Sequence, residues 1–198
     1  MKKLFLTAAV AVSSLTFAQQ FGAKAGMNVS TISDEGFDDT KSKVGYYAGV
    51  FMNVPVSESF SIQPEVLYNN LGSKVSSTVS GTTYSSTLNL DYVAVPVMFQ
   101  YKATPQFYLE AGPEFGFLVN AKQKFDDGSS STVTELDKED FNSFNMGVGL
   151  GLGFDISKNV GLNARYVAGF SDITKKSGPA ADAKNKNNAF QVGLNIKF

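Results

Sequence analysis

The chain has 198 residues, with 17 Lys and Arg against 18 Asp and Glu, no cysteine, no histidine, and 13% aromatic residues without a tryptophan. That balance gives no reason to expect a nucleic-acid partner, and the missing cysteine excludes disulfides and a lipid anchor on cysteine. Without histidine or cysteine, Ser–His and Cys–His nucleophile pairs and the usual zinc sites cannot be built, so neither an enzyme nor a cofactor or metal is expected.

The chain opens as a targeting device. Lys2 and Lys3 form a positive start, Leu4 to Val12 a short apolar stretch, and Thr16-Phe17-Ala18 a small-residue cleavage site. Residues 1–18 therefore read as a signal peptide and 19–198 as the mature domain, beginning at Gln19. Without Lys2 and Lys3 the mature chain has 15 basic against 18 acidic residues. Nowhere does it carry the apolar run of about 20 residues that a membrane helix needs. A membrane protein of this sequence has to cross as a closed sheet.

Eight segments alternate strictly, apolar on one face and small or polar on the other. The first runs from Phe21 to Val29, the second from Val44 to Val54, and the third from Phe60 to Asn69. In the fourth, Val93, Val95, Val97, Phe99 and Tyr101 form the apolar row, but Leu88 to Asp91 has the opposite parity. That change predicts a bulge or a strand start near Asp91. Segments five to seven cover Phe107 to Phe117, Phe144 to Phe154 and Val160 to Phe170. The eighth ends the chain with Phe190, Val192, Leu194, Ile196 and Phe198 on one face. A soluble domain seldom closes on an exposed aromatic row, whereas a strand facing lipid has reason to. This last strand reads as the signal that the barrel-assembly machinery recognises, which makes that machinery an expected partner.

Connections alternate as well. Residues 55–59, 102–106 and 155–159 are short turns, whereas 32–43, 71–87, 120–142 and 171–189 are long and polar. The Ser/Thr-rich residues 73–87 read as loop with the option of a hairpin above the membrane. Short periplasmic turns and long outer loops define an eight-stranded antiparallel up-and-down transmembrane β-barrel of an outer membrane. Phe21, Phe60, Phe99, Tyr101, Phe107, Phe154 and Phe198 would mark one interface, and Tyr46, Tyr68, Tyr92, Phe117, Phe144, Phe170 and Phe190 the other.

The polar face decides between this barrel and a soluble lipocalin-like ligand-binding barrel, whose apolar rows point inward. It is rich in glycine, including Gly147, Gly149, Gly151 and Gly153. Glycine weakens a strand exposed to water, but in a narrow bore it leaves room for large polar groups. Lys24, Glu65, Glu110, Glu114, Arg165 and Lys197 are accordingly expected to form a lumen network, with pairing left open. An enclosed charge must be paired or solvated. The alternative use of these charges is a narrow channel for ions or small solutes.

The pattern resembles the small outer-membrane barrel family known as porin-family or PorT-like proteins. The resemblance rests on Phe21-Gly22-Ala23-Lys24-Ala25-Gly26-Met27-Asn28, Ile62-Gln63-Pro64-Glu65-Val66-Leu67-Tyr68, Tyr92-Val93-Ala94-Val95-Pro96-Val97, Gly147 to Gly153 and Leu162-Asn163-Ala164-Arg165-Tyr166. It spans essentially the whole mature chain. Ala94 departs from it, where many relatives place a glutamate, which thins the expected network. The resemblance implies an exported outer-membrane barrel. Eight strands leave little aqueous bore, against the family's label as porins.

The acidic runs Asp34 to Asp39 and Asp126-Asp127-Gly128 lack EF-hand spacing and read as solvated loop acids. The basic stretch from Lys175 to Asn188 reads as a hydrated loop, with anionic lipopolysaccharide as the alternative contact. Overall, the sequence points to a monomer among outer-membrane lipids and lipopolysaccharide, with a side-chain-filled lumen and a structural or surface-interaction role.

Overall fold

A computed structural model describes residues 19–33, 41–79, 82–173 and 185–198. The expected signal peptide, the Asp34–Asp39 run and most of the basic loop lie outside these residues. Strands are β1 (Gln20–Ser33), β2 (Lys41–Pro55), β3 (Phe60–Val79), β4 (Thr82–Lys102), β5 (Phe107–Asp126), β6 (Ser131–Glu135), β7 (Phe144–Asp155), β8 (Val160–Asp172) and β9 (Lys186–Lys197). Each pairs antiparallel with its neighbours, and the β4–β5 and β1–β9 pairings close eight of them into a ring. At the closing seam the Phe198 N–H donates to the Phe21 carbonyl at 2.9 Å.

Period-two alternation orients the wall. Leu150, Leu162 and Leu194 are 66%, 44% and 49% exposed, whereas Arg165 and Glu110 are 1% exposed. The greasy rows therefore face outward and the polar rows fill the bore. A soluble lipocalin-like barrel requires the reverse, so that alternative fails.

Several expectations about the outer rim change. The Ser/Thr-rich stretch takes the hairpin option rather than the loop: β3 and β4 run on as one hairpin whose pairing continues to Val79 opposite Thr82. Likewise β5 extends to Asp126 and pairs with the extra short strand β6, inside a stretch expected to be loop. These three strands reach 20, 21 and 20 residues, past the roughly nine to eleven that a tilted strand needs to cross a bilayer.

The bulge expected near Asp91 is present in the β4–β5 ladder, but it lies on β5 and does not cause the parity change of β4. Pairing of β4 with β3 runs without interruption through Asp91. On the other side, Asp91 pairs with Asn120 and Tyr92 with Leu118, so the extra residue is Val119 on β5. Within β4 the lumen row simply changes chemistry: Leu90 and Tyr92 point inward like Ala94 and Met98. Tyr92 is therefore buried and is not part of the outer aromatic belt. Tyr46, Tyr68, Phe117, Phe144, Phe170 and Phe190 do face outward.

Candidate functional site

Four charges meet across the bore from alternate strands of the ring. Lys24 comes from β1, Glu65 from β3, Glu110 from β5 and Arg165 from β8, directly opposite β3. Arg165 grips Glu65 with two parallel bonds, Nη1 donating to Oε2 at 2.9 Å and Nη2 to Oε1 at 2.8 Å. Its Nε donates to Glu110 Oε1 at 2.8 Å. Lys24 Nζ donates to Glu65 Oε1 at 2.8 Å, with both side chains fully enclosed. Two cations face two carboxylates, so the quartet is neutral. Such burial is tolerated only because the remaining lone pairs are also used. Gln63 donates to Glu65 Oε1 at 2.8 Å and Gln100 to Glu110 Oε2 at 3.0 Å.

Local sequence explains why the quartet fits. A Cβ on Gly149 would lie 3.2 Å from Arg165 Cδ, and one on Gly151 would lie 3.0 Å from Glu110 Oε1. At Gly153 the added carbon would collide with the Tyr108 ring at 2.1 Å. The glycine run of β7 is thus a groove into which side chains from β5 and β8 are laid.

The other two expected members stand apart. Glu114 is buried, but its Oε2 has no hydrogen-bond partner among the described residues. Lys197 sits at the short-turn rim and pairs with Asp155 at 2.6 Å. Neutral residues of the inward rows, outside the expected set of charges, join the network. Tyr47 donates to Asn163 at 2.8 Å, Asn163 to Asn195 at 2.8 Å, and Asn195 to Tyr108 at 3.0 Å. These residues occupy the same inward rows as the charges, where parity places them, but parity does not show which of them bond to one another. Asn53, below the quartet, donates to Gln100 at 2.8 Å.

Above the polar layer lies an apolar plug. Leu71, Leu90, Tyr92, Ala121, Phe141, Ile173 and Ala189 form one buried cluster at the long-loop end. Phe141 and Ile173 come from segments outside the strands and fold over the mouth. The Asn142 N–H ties them together by donating to the Ile173 carbonyl at 2.7 Å. The described loop acids Asp126 and Asp127 behave as ordinary turn residues. Asp126 Oδ1 accepts from the Gly128 amide, and Asp127 Oδ1 accepts from the amides of Ser129 and Ser130. Those amides hold the Asp127 carboxyl below its usual range.

An eight-stranded antiparallel ring with lipid-facing apolar rows and a polar, side-chain-filled bore is a small outer-membrane β-barrel. The family model for the outer membrane protein beta-barrel domain matches residues 17–175, and the chain belongs to that family. It lies in the outer membrane, within the lipid environment common to such barrels. No curated protein sequence matches the chain.

Among solved structures it is similar to Ail, the attachment invasion locus protein of Yersinia pestis. That match has 15% identity and a TM-score of 0.53, and covers 90% of this chain and 98% of Ail. Ail in complex with the heparin analogue sucrose octasulfate gives 14% identity, a TM-score of 0.50, and coverage of 91% and 99%. Neisserial surface protein A is 12% identical with a TM-score of 0.49, covering 90% and 97%.

Proposed function

We propose that the chain acts at the cell surface, as a structural and interaction protein whose barrel anchors a polar sheet outside the membrane. The observation that carries this is the contrast between the two ends of the barrel. The bore is filled by the Arg165 quartet and capped by the apolar plug. The long-loop end instead continues β3, β4 and β5 past the closed ring and adds β6, which is exposed along its whole length. A barrel used for transport would spend its chain on the lumen, whereas this one extends outward. The complex of Ail with a heparin analogue is a fold-level precedent for ligand binding by such a barrel.

The rest of the reading follows from the same picture. The mature chain starts at Gln19 after export, works as a monomer, and performs no enzymatic chemistry. The barrel-assembly machinery recognises Phe190, Val192, Leu194, Ile196 and Phe198, of which the last has the most exposed side chain. The lumen residues Lys24, Glu65, Glu110 and Arg165 serve stability.

Planar-bilayer recording of the purified chain tests the filled lumen against the narrow-channel alternative. No discrete conductance is expected, and reproducible open steps would overturn the reading. Replacing residues 76–85 by a two-residue turn should leave heat-modifiable folding intact while abolishing surface binding by cells that express the chain. Unchanged adherence would remove the hairpin from the interaction surface.

A further inference from the structure

The hairpin of β3 and β4, the end of β5 and the whole of β6 form a four-stranded sheet beyond the closed ring. Successive side chains along a strand point to opposite faces, so the registers sort this sheet into two sides. Lys74, Lys122, Lys124, Asp126 and Glu135 all stand on the side continuous with the lipid-facing wall. The other side continues the lumen rows of Leu71, Leu90 and Ala121, so it overlooks the capped mouth and not the bilayer. Beyond those three residues, none of the four strands places a charge on it among the described residues.

Three apolar side chains stand in the open on this neutral side. Val75 of β3, Ser86 of β4 and Phe125 of β5 pair in one row, and Tyr84 lies two residues along β4, diagonal to both Val75 and Phe125. Diagonal neighbours are about 7–8 Å apart. Val75, Tyr84 and Phe125 are 46%, 40% and 49% exposed. Hydroxyls and one amide surround them. Ser77 pairs with Tyr84, Thr132 with Phe125 and Thr134 with Gln123, whose Nε2 donates to Ser86 Oγ at 3.0 Å. The nearest charges outside the strands are engaged elsewhere or lie lower. Asp127 is held by the amides of Ser129 and Ser130, and Lys138–Asp140 sits at the foot of the sheet, where Lys138 bonds the Val119 carbonyl.

Size and chemistry together select an occupant. Four strands of this length and spacing span roughly 300 Å², well short of the roughly 800 Å² that each side of a stable protein complex buries. Rings and hydroxyls without a charge suit a ligand with apolar C–H faces and hydroxyl edges, and offer nothing to a phosphate, sulfate or ammonium group. We propose that this side of the outer sheet binds an uncharged oligosaccharide presented outside the cell. One sugar ring stacks on Tyr84 and another on Phe125, while Ser77, Gln123 and Thr132 meet its hydroxyls. The assignment names a ligand for the proposed surface role and rests on that role.

A printed panel of neutral and anionic oligosaccharides, probed with the detergent-solubilised full chain, tests it. At least one neutral glycan should be retained, with little dependence on salt. Tyr84→Ala/Phe125→Ala should weaken that binding about ten- to hundred-fold. Tyr84→Phe should keep it, and Lys74→Gln/Lys124→Gln, on the other side of the same strands, should leave it unchanged. Heat-modifiable migration on gels shows that each variant retains its barrel. Retention of no neutral glycan would overturn the assignment, as would equal binding by the folded double alanine variant. So would binding confined to sulfated or phosphorylated glycans and lost with the two lysines, which would put the site on the opposite side. Hairpin-dependent adherence with no glycan retained would sink this assignment and leave the surface role standing. A neutral glycan retained without hairpin-dependent adherence would support the binding site and sink the role.

Discussion

At the residue scale, Glu65 bears the most tightly shared charge in the bore. Its Oε1 accepts from Lys24, Gln63 and Arg165, each at 2.8 Å. Removing one member of a buried pair costs far more than removing both, because the survivor stays enclosed without a counter-charge. Glu65→Gln leaves Lys24 and Arg165 with Glu110 as their one carboxylate inside the quartet, so it should lower stability by about 3–5 kcal/mol. Adding Lys24→Met restores neutrality and should recover about 1–3 kcal/mol of that loss. Urea unfolding in lipid vesicles reads both numbers, and strictly additive losses would mean that the two charges do not communicate. Gly153 makes the complementary point. Any side chain there displaces the Tyr108 ring and with it the hydrogen bond from Asn195.

At the element scale, three prolines draw a diagonal through the wall. Pro64 pairs with Val97 of β4, while the β2–β3 ladder has no pairs between Phe51–Glu65 and Val54–Ile62. Pro96 pairs with Glu114, while the β3–β4 ladder breaks between Pro64–Val97 and Leu67–Ala94. Pro113 pairs with Val148, while the β4–β5 ladder breaks between Pro96–Glu114 and Phe99–Ala111. Each proline lacks the N–H that one seam needs, so three adjacent seams lose a rung at neighbouring heights. Pro113 lies on the outward parity, where valine fits without crowding the bore. Pro113→Val should therefore stabilise the barrel by about 0.5–1.5 kcal/mol by restoring one rung. Hydrogen exchange checks the cause: the amide introduced by the substitution should be protected, and a fast-exchanging amide with no gain in stability would refute it.

The same strands show what the sequence disclosed and what it concealed. Alternation identified all eight strands of the ring, because lipid on one side and a polar bore on the other impose a strict period of two. It placed Glu65 and Arg165 on inward rows. It could not show that they face each other, since β3 and β8 meet only through ring closure and stagger. The change at Leu88 and Leu90 was visible but ambiguous, because inverted parity follows equally from a bulge and from an apolar lumen. Extension of β3 through Ser73 to Val79 was legible only as an option, because a polar composition reads equally as loop or as hairpin. Above the bilayer, a sheet wet on both faces needs no apolar row.

At the scale of the whole molecule, the bore is shut twice in series, and the two closures differ in chemistry. The plug around Leu90 and Phe141 excludes water by burial, whereas the quartet below it fills the bore with fixed charges and hydrogen bonds. Asn69 lies between them, its Nδ2 without a hydrogen-bond partner among the described residues and its Oδ1 accepting weakly from Gln191 at 3.5 Å. Asn53 lies beyond the quartet, toward the short turns. Because the chain has no native cysteine, single probes at these two positions report each closure separately. With Asn69→Cys alone, a membrane-impermeant thiol reagent added outside intact cells should label slowly. Adding Phe141→Ala and Ile173→Ala opens the outer closure, at a cost of about 2–5 kcal/mol for each buried side chain, and should speed labelling of that probe. Asn53→Cys in the same opened background should stay unlabelled from outside, since the Arg165 quartet still stands between. Labelling at both positions would mean that the quartet is permeable once the plug is gone. Labelling at neither would mean that Phe141 and Ile173 are not what keeps water from the outer half of the bore.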